Sequence, residues 1–465
     1  MSVSIEQSPL YNILPIGQQV IFTVSEPTIV ATKFNVKFVA QIHVDNQAIV
    51  LANNSDLIGT FKTTPNNAGV GIFDLRPILE TFIKPDHEPN STIIPASDSQ
   101  YKGTSADSTM FPIHLVDRFS LSNNSIKYFA INFYIEYSDT ATGEIINFLS
   151  LPPTPTALYI FFNGVLQYDD VLKFHYDKYG YYLEEFYFSS SIAKFLSDAP
   201  TTQYAKLTDY GTFPILNYVP NANAYPVTGL DLTYYNSSGV QLATENVNNQ
   251  LSTGGPSNLL SSSDQLINYF GGFPANLDGW SSTWDLHKAN ISYYTIRDEN
   301  NLSALYTIHI LCSEIKGYEG VRLTWLNKWG TWDYYTFNMK STRSIATNRT
   351  SYTQLGGTWN ESIFRIAGYK GGKKNFRVNS TEKIRINTDF VTEEEGIWFE
   401  QLINSSEVYV LEGLQTDPTS PALNTYVQPA TITSSSYTRK TRANDNLMQY
   451  TFEIEKSKMK RTQSV

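Results

Sequence analysis

Three carboxylate clusters are the residues of this chain best suited to do chemistry: Asp169-Asp170, Glu184-Glu185 and Glu393-Glu394-Glu395. Two carboxyl groups flanking a glycosidic bond can cleave it, one as acid and the other as base or nucleophile. Each cluster also has a plain structural reading. The first follows a hairpin strand, the second edges a strand and the third opens a helix. Six histidines are scattered at His43, His87, His114, His175, His287 and His309, and no two stand at the i, i+4 spacing of a helical zinc site. His43 and His309 fall in strand patterns and read as surface or cross-strand residues. No Gly-X-Ser-X-Gly elbow presents a serine nucleophile. Cys312, the single cysteine, excludes an internal disulfide and a cysteine-built zinc site, and beside Ile308, Ile310 and Leu311 it reads as a small core hydrophobe. Gly371-Gly372-Lys373-Lys374 lacks the glycine spacing and final Ser/Thr of a phosphate loop, so it reads as a basic hairpin turn. No catalytic, cofactor-binding or metal-binding residue is assigned, and the chain is expected not to be an enzyme.

Binding chemistry is the next class. Trp280, Trp284, Trp325, Trp329 and Trp332 could stack on sugars, with Asn and Asp supplying hydrogen bonds. Trp329 and Trp332 are three residues apart, however, and would face opposite sides of a strand. The segment Arg322–Phe337 sets two aromatic-rich runs about Asn327-Lys328-Trp329-Gly330, the pattern of a β-hairpin. Trp325, Trp329, Trp332, Tyr334 and Tyr335 are its core or interface candidates, because a free loop gains nothing from exposing indoles. Trp329 and Trp332 are placed in the core of a C-terminal domain or in a subunit contact. From Thr438 to Val465, seven Lys/Arg meet three acids. Lys456, Lys458, Lys460 and Arg461 form a basic tail that could dock on an acidic neighbour or approach packaged DNA; the simpler reading is a frayed terminus.

The elements that must carry these residues are mostly strands. Phe34, Val36, Phe38, Ala40, Ile42 and Val44 alternate with Asn35, Lys37, Gln41 and His43. Phe129, Ile131, Phe133, Ile135 and Tyr137 alternate with Asn132, Tyr134 and Glu136, and Met448, Tyr450, Phe452 and Ile454 do so near the end. Period-two alternation predicts half-buried strands. Asn163-Gly164 between two apolar runs predicts a tight hairpin. Two short helices are predicted. One lies within Ile72–Ile83 with Asp74 as N-cap and Leu79, Phe82 and Ile83 as its stripe. The other follows Thr392 and Glu395, a capping-box pair, with Ile397, Trp398, Leu402 and Gln401 at helical spacing. Residues 84–108, 236–264 and 415–436 are polar and aperiodic and are expected to be long loops.

The resulting expectation is a mainly β chain with two or three antiparallel β-sandwich-like domains, a few short helices and long loops. The domains are drawn at 1–150, 151–300 (β-rich, with long polar loops) and 301–465 (one short helix and the basic tail). At 465 residues, 41% hydrophobic and 17% charged, the chain can form packed cores. A net charge of −10 argues against a general nucleic-acid binder. Met1–Glu6 lacks a basic region followed by an apolar run, which predicts synthesis in the cytosol without a secretory leader. No stretch reaches the roughly eighteen apolar residues of a membrane helix, so no membrane insertion is expected.

Four segments resemble tail-associated virion structural proteins of tailed bacteriophages, notably those infecting gut and marine bacteroidete hosts, crAss-like phages included. They are Gly71–Leu79, Val321–Phe337, Asn387–Glu395 with the following Trp398, Leu402, Ser405, Glu407, Val408 and Tyr409, and Asn446–Glu455. The region from about 140 to 300 carries no such resemblance. The motifs are structural and bring no catalytic residue or cofactor with them. The resemblance implies a subunit made in the host cytoplasm and assembled into a ring, collar or hub of the virion tail. Its partners would be further copies in a cyclic homo-oligomer and other tail proteins, with transient proximity to DNA in the conduit. The alternative is a receptor-binding or adhesion protein with carbohydrate-binding sandwiches, drawing on Trp280 and Trp284.

Overall fold

The computed structural model describes residues 2–47, 54–86, 112–113, 116, 118–122, 124–166, 170, 183–189, 192–219, 225–249, 266–311, 317–359, 361–412, 427–434, 436–438 and 448–464. The protein is mainly β, with several mostly antiparallel sheets and a few short helices. It divides into two compact units. Unit 1 comprises Met1–Leu311, Leu326–Asp333 and Thr416–Ser420; unit 2 comprises Cys312–Trp325, Tyr334–Gln415 and Pro421–Val465.

Unit 1 begins with a sandwich. Strand Phe34–Asp45 pairs antiparallel with Ile126–Ser138, setting Ala40 opposite Phe133 and Ile42 opposite Ile131. The facing sheet is built from Ser4–Gln7, Ile21–Ser25 and Val70–Asp74. Phe22, fully buried, meets Phe129 and Tyr159 edge-on at 6.4 and 5.5 Å. Burying an aromatic side chain of this size contributes about 1.5–3 kcal/mol. Alternation explains the inner face, where Phe38, Ala40, Ile42, Phe129, Ile131, Phe133 and Ile135 share one core. Phe34 is not part of it: Asn35 takes a positive φ of 54°, the register shifts there, and Phe34 is exposed. The polar face is buried too. Gln41, His43, Asn132 and Glu136 all lie inside, with Phe148 from a short 3₁₀ turn packed on Tyr134 and Lys62 paired to Glu136 at 2.6 Å.

A second pair of sheets follows in unit 1. Thr202–Ala205, Gly229–Tyr235, Gln241–Asn248, Tyr293–Asp298 and Tyr306–Ile310 form one sheet; Phe119–Leu121, Thr212–Leu216 and Ile267–Gly271 form the other. Phe213 stacks on Phe273 at 4.9 Å, and Phe195 on Tyr306 at 4.2 Å. The expected loop from residue 236 is in part a hairpin: Asn236 accepts from the Ser238 and Val240 amides, Gly239 takes φ 75°, and strand Gln241–Asn248 follows.

Of two further local expectations, one is corrected and one is met in shortened form. Asn163-Gly164 closes no hairpin among the described residues; strand Tyr159–Phe162 pairs instead with the distant Ile126–Ser138 and, in parallel, with Ile13–Pro15. Ile72 and Phe73 belong to a strand that ends at Asp74, and the expected helix is an α turn Arg76–Leu79 continued by a 3₁₀ turn Glu80–Phe82, with Leu79 and Ile83 buried. Asp74 still caps, accepting from the Arg76 amide at 3.1 Å.

Unit 2 is one large antiparallel sheet with a helix over it. The strand order runs Trp332–Phe337, Val321–Leu326, Val408–Leu411, Val427–Ile432, Thr451–Lys456, Gly372–Asn387, Thr342–Gln354, with Lys460–Ser464 also on Gly372–Asn387. Part of the expected 415–436 loop is therefore strand; most of that segment, and most of 84–108, lies outside the described residues. Helix Glu393–Asn404 starts at the predicted box: the Thr392 side chain accepts from the Glu395 amide and the Glu395 side chain accepts from the Thr392 amide. Its buried face is Trp398, Phe399 and Leu402, and Ile397 lies outside that stripe at the edge of exposure.

Candidate interaction surface

The predicted chemical residues disperse. Asp169, His87, His114, His175 and Cys312 lie outside the described residues. Asp170 is ion-paired with Lys328, Glu185 with Lys194, and Glu393–Glu395 form the first helical turn. His309 stacks on Tyr204 at 5.3 Å, and its pKa is lowered by burial. His43 is fully buried, its ring nitrogens have no hydrogen-bond partner among the described residues, and burial lowers its pKa. Among the described residues no group of three or more His, Cys, Asp or Glu is arranged to hold a metal. Trp284 is buried against Tyr234 and Tyr294, while half-buried Trp280 lies beneath the Arg118 guanidinium and donates to the Asn276 carbonyl. These two indoles offer no open stacking platform.

The aromatic hairpin is a packing device, and its five candidate residues split between the units. Trp325, Tyr334 and Tyr335 belong to unit 2, where Trp325 packs on Trp398 at 4.9 Å and Tyr335 on Phe399 at 4.9 Å. Trp329 and Trp332 belong to unit 1, which corrects the expectation of a C-terminal core. The cause is the polar chemistry of the turn. Trp329 Nε1 donates to Asp198 at 3.0 Å, and its ring meets Phe186 edge-on at 4.6 Å. Trp332 Nε1 donates to the Asp86 carbonyl at 3.2 Å. Thr331 Oγ1 donates to the Leu196 carbonyl at 2.8 Å, and Lys328 reaches Asp198 at 2.6 Å. Gly330 adopts φ 74°, and a Cβ there would sit 2.0 Å from the Asn163 carbonyl oxygen, so only glycine fits.

The basic tail is built into unit 2. Lys456 ends a strand and is buried, while Lys458, Lys460 and Arg461 are exposed. Lys456 pairs with Glu412 and stands 3.7 Å from Glu382, which also receives Lys460 at 2.6 Å and Arg343 at 2.8 Å. The hydrogen bond from Lys460, assisted by Arg343 and Lys456, holds the Glu382 carboxyl down at about 2. The tail's cations are thus partly neutralised within their own sheet.

The open surface lies elsewhere, in a long edge hairpin, here called the arm, that sequence reasoning passed over. The outgoing strand Thr342–Gln354 has 13 residues, twelve of them exposed, and spans about 40 Å at 3.3 Å per residue. The return strand Gly372–Asn387 is held on its other side along most of its length: Lys383–Asn387 pair with strand Thr451–Lys456, and Arg377–Ser380 with Lys460–Ser464. The far edge of the outgoing strand has no strand partner among the described residues. Between the strands, a tip folds about Thr358, whose hydroxyl donates to the Ile363 carbonyl and accepts from the Arg365 amide. The tip exposes Leu355, Trp359 (71%), Ile363, Phe364, Ile366 (91%) and Tyr369. Gly371 and Gly372, the expected basic turn, take φ 91° and 78° where the chain re-enters the sheet. The signal was present as apolar residues bracketed by Gly356-Gly357 and Gly371-Gly372, but it has no period.

No family model matches the chain, and no curated protein matches it in sequence. Among solved structures, the native conformation of E. coli alpha-2-macroglobulin is similar over 82% of this chain, at 8% identity and a TM-score of 0.19. Trypsin-activated alpha-2-macroglobulin from Escherichia coli matches over 83% at 9% identity and TM-score 0.19, and a Salmonella alpha-2-macroglobulin mutant, Y1175G, over 82% at 8% and 0.18. The chain spans about a fifth of those proteins, 22%, 23% and 21% respectively. At these scores the likeness carries no argument.

Proposed function

We propose that the chain is a structural subunit of a bacteriophage tail, forming or cladding an oligomeric ring that joins tail components and helps form the DNA conduit. The observation that carries this reading is the arm. Its outgoing strand is a sheet edge with no strand partner on its far side among the described residues, and six large apolar side chains at one tip far exceed the scattered exposure of a solitary soluble protein. Such an arm suits a subunit whose remaining contacts come from neighbours. The four tail-protein-like segments support the same reading from the sequence side, because each contributes core residues and no site: Phe73 and Leu79 from the first, Trp325 and Trp332 from the second, Val391 and Trp398 from the third, Phe452 and Ile454 from the fourth. An acidic chain lining a conduit would also repel DNA and let it pass.

The test is negative-stain electron microscopy of the purified chain, with light scattering for mass. Closed rings of one cyclic symmetry, roughly six or twelve copies, are expected. A monomer at every concentration and salt condition, with no closed oligomer, would overturn the reading.

A further inference from the structure

We propose that the arm Thr342–Asn387 is the donor half of a head-to-tail self-contact, docking on the acidic Met1–Leu311 portion of a second copy of this chain. The inference rests on the reading of the chain as a ring subunit and names the surfaces that make the ring.

Charge selects the partner. Residues 342–387 hold nine Lys/Arg and two Asp/Glu, a net of 9 − 2 = +7, in a chain whose total is −10. Residues 1–311 hold 14 Lys/Arg and 28 Asp/Glu, a net of 14 − 28 = −14. The arm's excess is only partly consumed locally, Lys383 pairing with Glu455 at 3.3 Å. Arg343 pairs with Glu382 and Glu319, but the exposed Arg349, Arg365, Lys373, Lys374 and Arg377 form no ion pair among the described residues. A second copy therefore presents the complementary field.

Backbone chemistry narrows the class further. The outgoing strand offers a long row of outward N–H and C=O groups with few of the devices that blunt an edge: Arg343 and Arg349 are its charges, one register shift falls at Thr350/Ser351, and it contains no proline. Another protein chain can pair with such an edge; lipid tails cannot. The cations also run along the ribbon from Arg349 to Arg385 instead of forming a collar behind the tip. Trp359, Phe364 and Ile366 would then serve as apolar anchors within a contact whose rim is charged. Because donor and acceptor are different surfaces, the contact is heterologous and propagates until rotation closes it.

The experiment uses the full chain and two variants. One reverses charge, Lys373→Glu with Lys374→Glu and Arg377→Glu; the other removes the anchors, Trp359→Ser with Phe364→Ser and Ile366→Ser. All six positions are exposed, so melting should stay at the wild-type value, and each set checks the other should one fail to fold. Light scattering over a concentration and salt series should show association weakened roughly tenfold or more in each variant, and weakened by salt in the wild type. Rings that persist in both variants would overturn this inference and leave the ring reading standing. A wild type that forms no oligomer would overturn both. Sedimentation of a monomeric wild type with phosphatidylserine vesicles, or its retention on duplex DNA, would reassign the arm to a membrane or a nucleic acid.

Discussion

Trp329 Nε1 donates to Asp198 at 3.0 Å across 131 residues of sequence, and Lys328 Nζ meets the same carboxylate at 2.6 Å. One acid therefore fixes two consecutive residues of the turn. A buried indole usually gives its N–H an acceptor, and Asp198 supplies one for Trp329 in the interior of unit 1. The neighbouring Trp332 repeats the logic with the Asp86 carbonyl.

Trp329→Phe should keep the edge-on contact with Phe186 and lose the hydrogen bond, costing about 1 kcal/mol. Trp329→Ala should cost about 3–5 kcal/mol, because it also opens a cavity. Urea unfolding of the full chain reads both, and an alanine variant as stable as wild type would contradict the packing role.

Two glycines make a matched pair. Gly330→Ala places a methyl group 2.0 Å from the Asn163 carbonyl oxygen at a positive φ, and should destabilise by about 2 kcal/mol or more. Gly356→Ala meets nothing within 4 Å and should stay within about 0.5 kcal/mol of wild type. Equal melting temperatures for the two variants would refute the geometric argument.

What the sequence discloses depends on how local the cause is. The box at Thr392 and Glu395 was readable because both partners lie within one turn. The inner faces of Phe34–Asp45 and Ile126–Ser138 were readable because alternation has a period. Burial of Gln41 and His43 was not, since it depends on what covers the outer face. Asn163-Gly164 carries the local signal of a hairpin, yet Tyr159–Phe162 is satisfied by strands far away in sequence. The two halves of the aromatic hairpin look uniform in sequence, and only partners such as Asp198 and Phe186 assign Trp329 to unit 1. The arm was missed because an apolar tip reads as core unless its exposure is known.

His43 should make unit 1 acid-sensitive. Its folded-state pKa lies below the ordinary 6.5 because burial penalises the charged ring. The unfolded chain therefore takes up a proton that the folded chain refuses, and stability falls as pH drops below about 6.5, with a slope of at most about 1.4 kcal/mol per pH unit from this residue. His43→Leu removes the titrating group and should flatten urea unfolding midpoints between neutral pH and about pH 5. The same slope in variant and wild type would assign the effect to other groups.

Glu382 governs unit 2 at lower pH. Its carboxyl is held at about 2, against an ordinary 4.5, first by the Lys460 hydrogen bond and then by Arg343 and Lys456. A depressed carboxylate stabilises fully above its unfolded pKa, and that contribution disappears as pH falls from about 4.5 towards 2. Glu382→Gln keeps the shape but leaves Lys456, itself buried, facing one fewer negative charge. The expected cost at neutral pH is about 2–3 kcal/mol, below that of a fully buried pair because Lys460 is largely solvated. At about pH 2 the two proteins should come close together, since wild-type Glu382 is then about half protonated in the folded state and most of its linked stability is gone. Unfolding curves that stay separated by the same amount at both pH values would show that the ion pairs do not supply the difference.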